Sequence, residues 1–538
     1  MIRKVFMEQT LHIKNLKIKK GELILRLSRP EKAIQLQASI VFQNTGFHFS
    51  HPVELSTDNS SEMVLKIDVS FLEQNDGDWT LVFQDTTSDT VYTAILDSKV
   101  RLALLLGRHY VRRGDFMYFP MGGSGHSFLL RCRHWQPHDR LRFRIKELSA
   151  FAIYKIFGKL LRKRHIWLIY EKFCVTAQEN GFYFFEYCMK QNEKNVYFIL
   201  DRKSPQWNDM QKYSQNVIPF LSFRHILYLL TADLYISPDG RHHAYIWKPM
   251  PNPVTREINK QKLYFLQHGV LYLKNVDNLF GVHSSSPVTY FTASSEFEKN
   301  IITQHMEYEP SQVPVTGLAR WDKLENTADP AHPFILLMPT WRSWLEGQND
   351  ELFCQSSYYR HYTSLLNDQE LLDYLKEKQI RLVCYIHPKL REFIGNFHAD
   401  NNLIELISFN SVPLNQLLMG CSMMITDYSS ACWDAYYLEK PILFYQFDLK
   451  QYNETNGSYV NMEKDLFGDR CTKQNELVHL IREYTENGFQ EKPAYAAMRN
   501  NLFVARDHDN CKRTYEYIKS QGYEALAFVC FKSVLLIL

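Results

Sequence analysis

The run Met424-Ile425-Thr426-Asp427-Tyr428-Ser429-Ser430-Ala431-Cys432-Trp433-Asp434 is an apolar strand that stops at a hydroxyl-rich turn and passes into a helix. Backbone N–H groups in the first turn of a helix lack intrahelical acceptors and the helix dipole is positive there, so the junction suits a diphosphate. On its own such a junction is also explained by Asp427 or Ser429 capping the helix. Three further strand ends carry matching chemistry: Leu266 leads to Gln267-His268-Gly269, Met338 to Pro339-Thr340-Trp341-Arg342, and Ile386 to His387-Pro388-Lys389. Two imidazoles, a guanidinium and paired serines form a set that deprotonates a hydroxyl and stabilises a transferring phosphoryl group.

Groups at four strand ends meet only if the strands lie parallel and share one edge. From Ile166 onward apolar strands alternate with helical segments: Ile166–Tyr170, Val196–Leu200, Leu234–Ile236 and Leu263–Leu266 form one set. After about Thr316 the pattern restarts with Phe334–Met338, Leu382–Ile386, Met423–Ile425 and Pro441–Tyr445. Two successive doubly wound α/β lobes, 166–316 and 317–520, place a cleft between the C-terminal edges of their strands. Residues 1–135 instead show short alternating runs such as Leu23-Ile24-Leu25-Arg26-Leu27 and Trp79-Thr80-Leu81-Val82-Phe83, the pattern of an antiparallel β-sandwich serving as an accessory domain. Gly122-Gly123-Ser124-Gly125 reads as a hairpin turn there, because no Gly-Lys-Ser/Thr follows to make a phosphate loop.

Between the β-rich region and the lobes, residues 136–165 turn helical, with Ile153, Ile156, Phe157, Leu160 and Leu161 on one face and Lys155, Lys159, Arg162 and Lys163 on the other. Such a helix either lies on an anionic membrane surface or bridges domains with its apolar stripe packed on a neighbour. The segment 521–538 is strongly apolar but too short to span a bilayer, so it reads as a packed terminal element or an interfacial anchor.

A net charge of only +3 on 538 residues gives no global basis for nucleic-acid binding, and 45% hydrophobic with 22% charged residues is the composition of an ordinary folded protein. The ten cysteines are scattered without C-x-x-C pairing, as expected of reduced, buried thiols. The first residues lack the long apolar core of a secretory leader and no run is apolar enough to span a bilayer, so a cytoplasmic-side location is expected. No His-Glu-x-x-His or Asp-x-Asp pattern follows a strand, so no tightly bound metal is expected, while a divalent-ion requirement stays open.

Taken in order, His268-Gly269, Gly317-Leu318-Ala319-Arg320-Trp321-Asp322, Pro339-Thr340-Trp341-Arg342, His387-Pro388 and Asp427-Tyr428-Ser429-Ser430 followed by Asp434 resemble the CDP-glycerol glycerophosphotransferase family, the teichoic-acid polymerases and primases. The resemblance runs from about Ile166 to Tyr517. It implies a GT-B architecture with donor and acceptor in the interlobe cleft. His268 then corresponds to the proposed base, His387 and Arg342 face the donor phosphates beside Thr340, Ser429 and Ser430 cradle the diphosphate, and Asp434 holds the polyol hydroxyls. Ser430 and Asp434 are four apart and would share a helix face, although Asp434 also fits a first-turn acid complementing the dipole.

One departure concerns the acceptor side. Many members follow His-Gly with Thr-Pro and basic residues, whereas this chain reads Val270-Leu271-Tyr272-Leu273-Lys274. Asn180-Gly181 and Asp239-Gly240-Arg241-His242-His243 are further acceptor-side elements or ordinary turns. Asp322 either recruits a divalent ion or, preferably, pairs with Arg320. The expected activity is transfer of glycerol phosphate or a related polyol phosphate from CDP-glycerol to a hydroxyl of a polyprenyl-diphosphate-linked or polymeric teichoic-acid or capsular acceptor. CMP leaves, and the enzyme is peripheral on the inner face of the membrane. The alternatives are a GT-B glycosyltransferase using a nucleotide sugar and a non-catalytic glycan-binding scaffold.

Overall fold

The computed structural model describes residues 9–19, 21–30, 35–44, 47–57, 62–72, 76–87, 90–106, 109–246, 253–284, 286–345, 350–386, 403–408 and 411–523. The chain divides into two compact units, residues 1–156 with 246–260, and residues 157–245 with 261–538.

The first unit is built on an 11-stranded sheet: β1 (Gln9–Lys19), β2 (Glu22–Ser28), β3 (Leu36–Asn44), β4 (Phe47–Val53), β5 (Leu55–Thr57), β6 (Glu62–Asp68), β7 (Gly77–Asp85), β8 (Val91–Leu96), β9 (Val111–Arg113), β10 (Phe116–Gly122) and β11 (Phe128–His134). The order is β5-β6-β2-β1-β8-β7-β11-β10-β9, and β3 branches from β7 to carry β4. Only the β1–β8 pair is parallel among these pairings. Residues alternate as a half-buried sheet requires: Met63, Leu65 and Ile67 point inward while Lys66 and Asp68 face solvent. Inward residues from both arms, among them Leu25, Phe42, Leu65 and Trp79, fill one core in the manner of a sandwich. The glycine-rich stretch is the expected hairpin connection, with Gly122 paired to Phe128 and the Gly123 amide donating to the Ser127 carbonyl at 2.7 Å.

The helical stretch is one helix, Leu141–Arg162. Phe143, Glu147 and Ala150 are buried, whereas Leu141, Ile145, Leu148, Ile156, Phe157 and Leu160 are exposed, Ile156 at 72%. Lys159, Arg162 and Lys163 are exposed as well, and Lys155 pairs with Glu257 at 3.5 Å. No helix among the described residues is long and apolar enough to cross a membrane. The apolar terminal segment lies outside the described residues from 524 onward.

The second unit holds two six-stranded parallel sheets. The first comprises β12 (Trp167–Ile169), β13 (Val196–Leu200), β14 (Val217–Pro219), β15 (Leu234–Ser237), β16 (Leu263–Phe265) and β17 (Tyr290–Phe291), ordered β14-β13-β12-β15-β16-β17. The second comprises β18 (Phe334–Met338), β19 (Arg381–Ile386), β20 (Ile404–Ser408), β21 (Met423–Thr426), β22 (Ile442–Tyr445) and β23 (Asp469–Cys471), ordered β20-β19-β18-β21-β22-β23. Both orders are the doubly wound 3-2-1-4-5-6 arrangement, whose winding reverses between the first and fourth strands; ligands bind outside the carboxyl ends there. β13, β15, β21 and β22 are buried along their whole length, as strands covered on both faces must be. The helix Asn510–Ser520 returns from the second lobe and buries Cys511 and Ile518 in the core of the first, beside Trp167, Phe184 and Phe198.

Candidate active site

His268 follows β16, and Asp239 follows the switch-point strand β15. The imidazole Nε2–H donates to Asp239 Oδ1 at 2.8 Å, and the His268 side chain is 49% exposed. Burial alone would lower the His268 pKa, but the hydrogen bond and charge of Asp239, with the nearby Glu179 carboxylate, raise it above the ordinary histidine value. The same contacts hold the Asp239 carboxyl below its usual value, against the opposing effect of burial. His243 Nδ1 lies 3.2 Å from the same Asp239 oxygen, and burial pushes that imidazole down to about 4, so it is neutral at physiological pH. With Nε2 committed to Asp239, Nδ1 of His268 is the nitrogen left to take a proton from a hydroxyl.

The loop carrying the imidazole is fixed from both sides. Gln267 occupies the left-handed region at φ 60°, an uncommon conformation for a residue with a side chain. Its amide donates to the Thr292 carbonyl and, at 3.2 Å, to Glu298 Oε1. Glu298 also accepts from the amides of Leu271 and Ser294, each at 2.6 Å. Asn180, buried in the helix Asn180–Lys190, donates to the Gln267 carbonyl at 2.6 Å and accepts from the Arg320 amide at 2.9 Å. It is a clamp between the two lobes rather than a group facing an acceptor.

Across the cleft stands the turn after β21. Ser430 is exposed and Ser429 half-buried, and a Cβ built on Gly269 would sit 2.6 Å from Ser430 Oγ. Only glycine allows the His268 loop to come this close to the serine turn. A cavity of ≈ 160 Å³ opens here, lined by Gln267, His268, Gly269, Lys274, Tyr428 and Ser430 together with apolar side chains of the 270–280 segment. The helix itself begins at Cys432, later than the paired serines suggest. Ser429 Oγ accepts from the Ala431 amide at 3.3 Å, and the amides of Ser429 and Ser430 meet no acceptor among the described residues.

Several expected contacts are placed differently. Arg342 is 0% exposed, not turned toward the cleft, and is held between Asp427 at 2.9 Å and Asp448 at 2.7 Å. Those two carboxylates raise its pKa well above the ordinary arginine value despite burial. Asp427 is equally buried, accepting from the Thr340 and Tyr428 amides and the Tyr362 hydroxyl. Arg342 and Asp427 therefore brace the serine turn from beneath, because an unpaired charge in that core would be costly. Thr340 Oγ1 is buried and unpaired among the described residues.

Asp434 does not share an open face with Ser430. It is 6% exposed, and its oxygens accept from Arg320 Nε and Nη2, each at 2.9 Å, and from Trp321 Nε1 at 2.6 Å. Arg320 in turn donates to the His268 carbonyl at 2.7 Å. The anticipated Asp322–Arg320 pair is thereby corrected: Arg320 pairs with Asp434, and Asp322 caps the helix Asn510–Ser520 by accepting from the amides of Asn510 and Cys511, each at 2.8 Å. Those contacts engage both Asp322 oxygens. His387, with Pro388 and Lys389, lies outside the described residues.

Residues not singled out from sequence include Glu179, Glu298 and Asp448. Glu179 Oε2 lies 4.0 Å from Arg320 Nη1, and burial raises its carboxyl pKa. A signal for Glu298 was available in Ser295-Glu296-Phe297-Glu298, a capping-box pattern of which the structure keeps the Ser295 half, its hydroxyl accepting from the Glu298 amide, while the Glu298 carboxylate turns to the Ser294 and Leu271 amides instead.

Comparison with known proteins fixes the lineage. Residues 154–520 match the model of the CDP-Glycerol:Poly(glycerophosphate) glycerophosphotransferase family. The chain belongs to that family. It is 26% identical over 387 residues to the minor teichoic acid biosynthesis protein GgaB of Bacillus subtilis (strain 168), covering 69% of this chain and 41% of that protein. It is 26% identical over 206 residues to the teichoic acid glycerol-phosphate primase of the same strain, covering 37% of this chain and 50% of that one. The chain thus spans half or less of the length of these two relatives. Among solved structures, the wall teichoic acid polymerase TagF superposes with a TM-score of 0.50 at 14% identity, over 72% of this chain and 100% of that one, a likeness of fold. The glycerophosphotransferase family assignment and the paired parallel-sheet lobes agree on a GT-B-like fold for the second unit.

Proposed function

We propose that this protein transfers glycerol phosphate, or a related polyol phosphate, from CDP-glycerol to a hydroxyl of a membrane-linked teichoic-acid or capsular polymer precursor. The observation that carries the reading is the approach of the Asp239-supported His268 to the serine turn through Gly269. The acceptor oxygen attacks the glycerol-bearing phosphorus as its proton passes to His268 Nδ1. The bond from that phosphorus to the bridging oxygen of CMP breaks, and CMP leaves with the electron pair. The free amides of Ser429 and Ser430 and the exposed Ser430 hydroxyl hold the diphosphate, while Asp427, which also takes the Thr340 amide, and Arg342 keep the turn in place. Arg320, fixed by Asp434, holds the His268 loop at its carbonyl. His387, outside the described residues, is assigned to the donor phosphates on family resemblance alone.

The exposed apolar line on the helix Leu141–Arg162, flanked by Lys159, Arg162 and Lys163, supports a peripheral position on the anionic cytoplasmic face of the membrane, where a lipid-linked acceptor resides. Incubation with CDP-glycerol, CDP-ribitol and UDP-sugars in the presence of lipid-linked acceptor, with and without a divalent cation, tests the reading. CMP release from CDP-glycerol is expected. Turnover of a UDP-sugar with no CMP released from either CDP-polyol would overturn it.

A further inference from the structure

β12 and β15 are neighbours at the switch point of the first parallel sheet, and the turns that leave their carboxyl ends touch. After β12 the chain turns tightly through Phe173 and Cys174, at φ 52° and 58°. Two successive residues with side chains in the left-handed region form a sparsely populated arrangement, which persists only where neighbours fix it. The fixing contacts come from the β15 side. The Cys174 thiol donates to the His243 carbonyl at 3.6 Å, and the Phe173 ring stacks on the His243 imidazole with centroids 4.2 Å apart and planes 14° from parallel. Phe173 is itself 42% exposed, whereas the imidazole it covers is 14% exposed.

His243 and His268 address a single oxygen. Asp239 Oδ1 takes the His268 Nε2–H at 2.8 Å and lies 3.2 Å from His243 Nδ1, while Asp239 Oδ2 is buried without a partner among the described residues. His243 Nδ1 makes no aligned hydrogen bond, so a neutral His243 leaves Oδ1 to His268. A protonated His243 would pair with the same oxygen, and two imidazoles would then divide one carboxylate charge. Burial keeps His243 neutral against the pull of Asp239, and His242, His268 and Lys172 oppose its cation as well, His242 with its ring edge-on at 4.2 Å. We propose that Phe173 is a positioning residue for the His268–Asp239 pair: its ring keeps water from His243, so that the Asp239 carboxylate serves His268 alone. The inference rests on the base assigned to His268 above and names what reserves that base's counter-charge. Without the ring, water reaches His243, a proton settles on its Nδ1 beside Asp239, and His268 holds its own proton less firmly.

Histidine ring NMR on the full chain reads both protonation states without any turnover, the two signals being identified by their loss in His268→Gln and His243→Gln. In Phe173→Leu, His243 should titrate at about pH 6–7 and the His268 midpoint should fall by about half a pH unit, with kcat/KM for CMP release down about threefold. Phe173→Tyr keeps the stacked ring and should restore both titrations. In a His243→Gln background, Phe173→Leu should leave the His268 titration where it stands, because no second imidazole competes. Phe173→Met gives the same reading if the leucine variant does not fold. Wild-type titrations in the folded variant, a loss of turnover in which neither titration moves, or a His268 shift that persists in the His243→Gln background would each overturn the inference. Failure of the wild type to release CMP from CDP-glycerol would refute the transfer reading instead, and the titrations would still decide the role of Phe173.

Discussion

Replacing Asp239 by asparagine removes the charge that faces His268 while keeping a side chain of the same size. The wild-type contact is a 2.8 Å charge-assisted hydrogen bond when the imidazole is protonated. Bonds of that kind are worth about 1.5–3 kcal/mol, and the half-exposed position of the imidazole moves the figure toward about 1–2 kcal/mol. As the imidazolium forms when the acceptor is deprotonated, the same energy is lost from the transition state, giving about a 5- to 30-fold fall in kcat/KM. The pH behaviour follows with a definite sign. Asp239 raises the His268 pKa above 6.5, so the pair's contribution to stability is full below 6.5 and is lost as pH rises through the folded value. In Asp239→Asn the acid limb of the CMP-release profile moves to lower pH, and the stability difference from wild type shrinks toward alkaline pH. CMP release from CDP-glycerol between pH 5.5 and 9, beside urea unfolding, reads both effects. An unshifted acid limb with turnover within twofold of wild type would refute the role of Asp239.

Gly269→Ala places a methyl group 2.6 Å from Ser430 Oγ and 2.8 Å from Ser430 Cβ, so the exposed serine turn has to move away from the His268 loop. Turnover should fall about 5- to 10-fold, with unfolding free energy lowered by about 1–3 kcal/mol, as measured by CMP release and urea titration. Asp434→Ala leaves Arg320 buried without its carboxylate and should destabilise by about 3–5 kcal/mol, whereas the double variant Asp434→Leu with Arg320→Met recovers part of that loss in a denaturation cycle. His225 is buried, accepts from the Leu221 amide, contacts the Ala244 carbonyl at 3.0 Å, and is pushed down to about 3 by burial. Stability therefore falls by about 1.4 kcal/mol per pH unit from this group as pH drops from 6.5 toward 3, a slope that His225→Gln removes in urea unfolding at stepped pH. Ile156→Glu with Phe157→Glu should lower sedimentation with anionic phospholipid vesicles at least tenfold while leaving donor binding unchanged, and unchanged sedimentation would take this helix off the membrane.

The interior of each parallel sheet was readable from sequence and its margins were not. β12, β13, β15, β16, β18, β19, β21 and β22 correspond to the apolar runs recognised from Ile166 onward, because strands covered on both faces must be continuously hydrophobic. β14, β17, β20 and β23 escaped recognition, and all four are the outermost strands of their sheets. Val217-Ile218-Pro219 and Tyr290-Phe291 are too short to show a period, and Asp469-Arg470-Cys471 carries two charges, as a strand with one unpaired edge permits. The return of the helix Asn510–Ser520 to the first lobe was equally hidden, since its burial depends on Asp322 and Ala319 far back in the chain.

At the site, sequence identified which residues gather and misjudged which of them face the cleft. A strand-end rule finds His268, Thr340, Asp427 and Ser429 because chain direction alone brings them to one edge. It cannot tell an arginine that reaches a phosphate from one that is neutralised below the surface. That distinction is set by Asp448, a residue 106 positions from Arg342 whose carboxylate, with that of Asp427, makes full burial of the guanidinium tolerable. The same holds for Asp434, whose apparent place one turn beyond the serines concealed its partners Arg320 and Trp321, more than a hundred residues earlier. Charged residues in this cleft thus divide into an exposed set that lines it and a buried set that stiffens the backbone beneath it. Preorganisation of that kind is what the proposed diphosphate site needs, since amides held in place require no rearrangement on binding, and it accounts for polar motifs around the cleft whose side chains are partly turned inward.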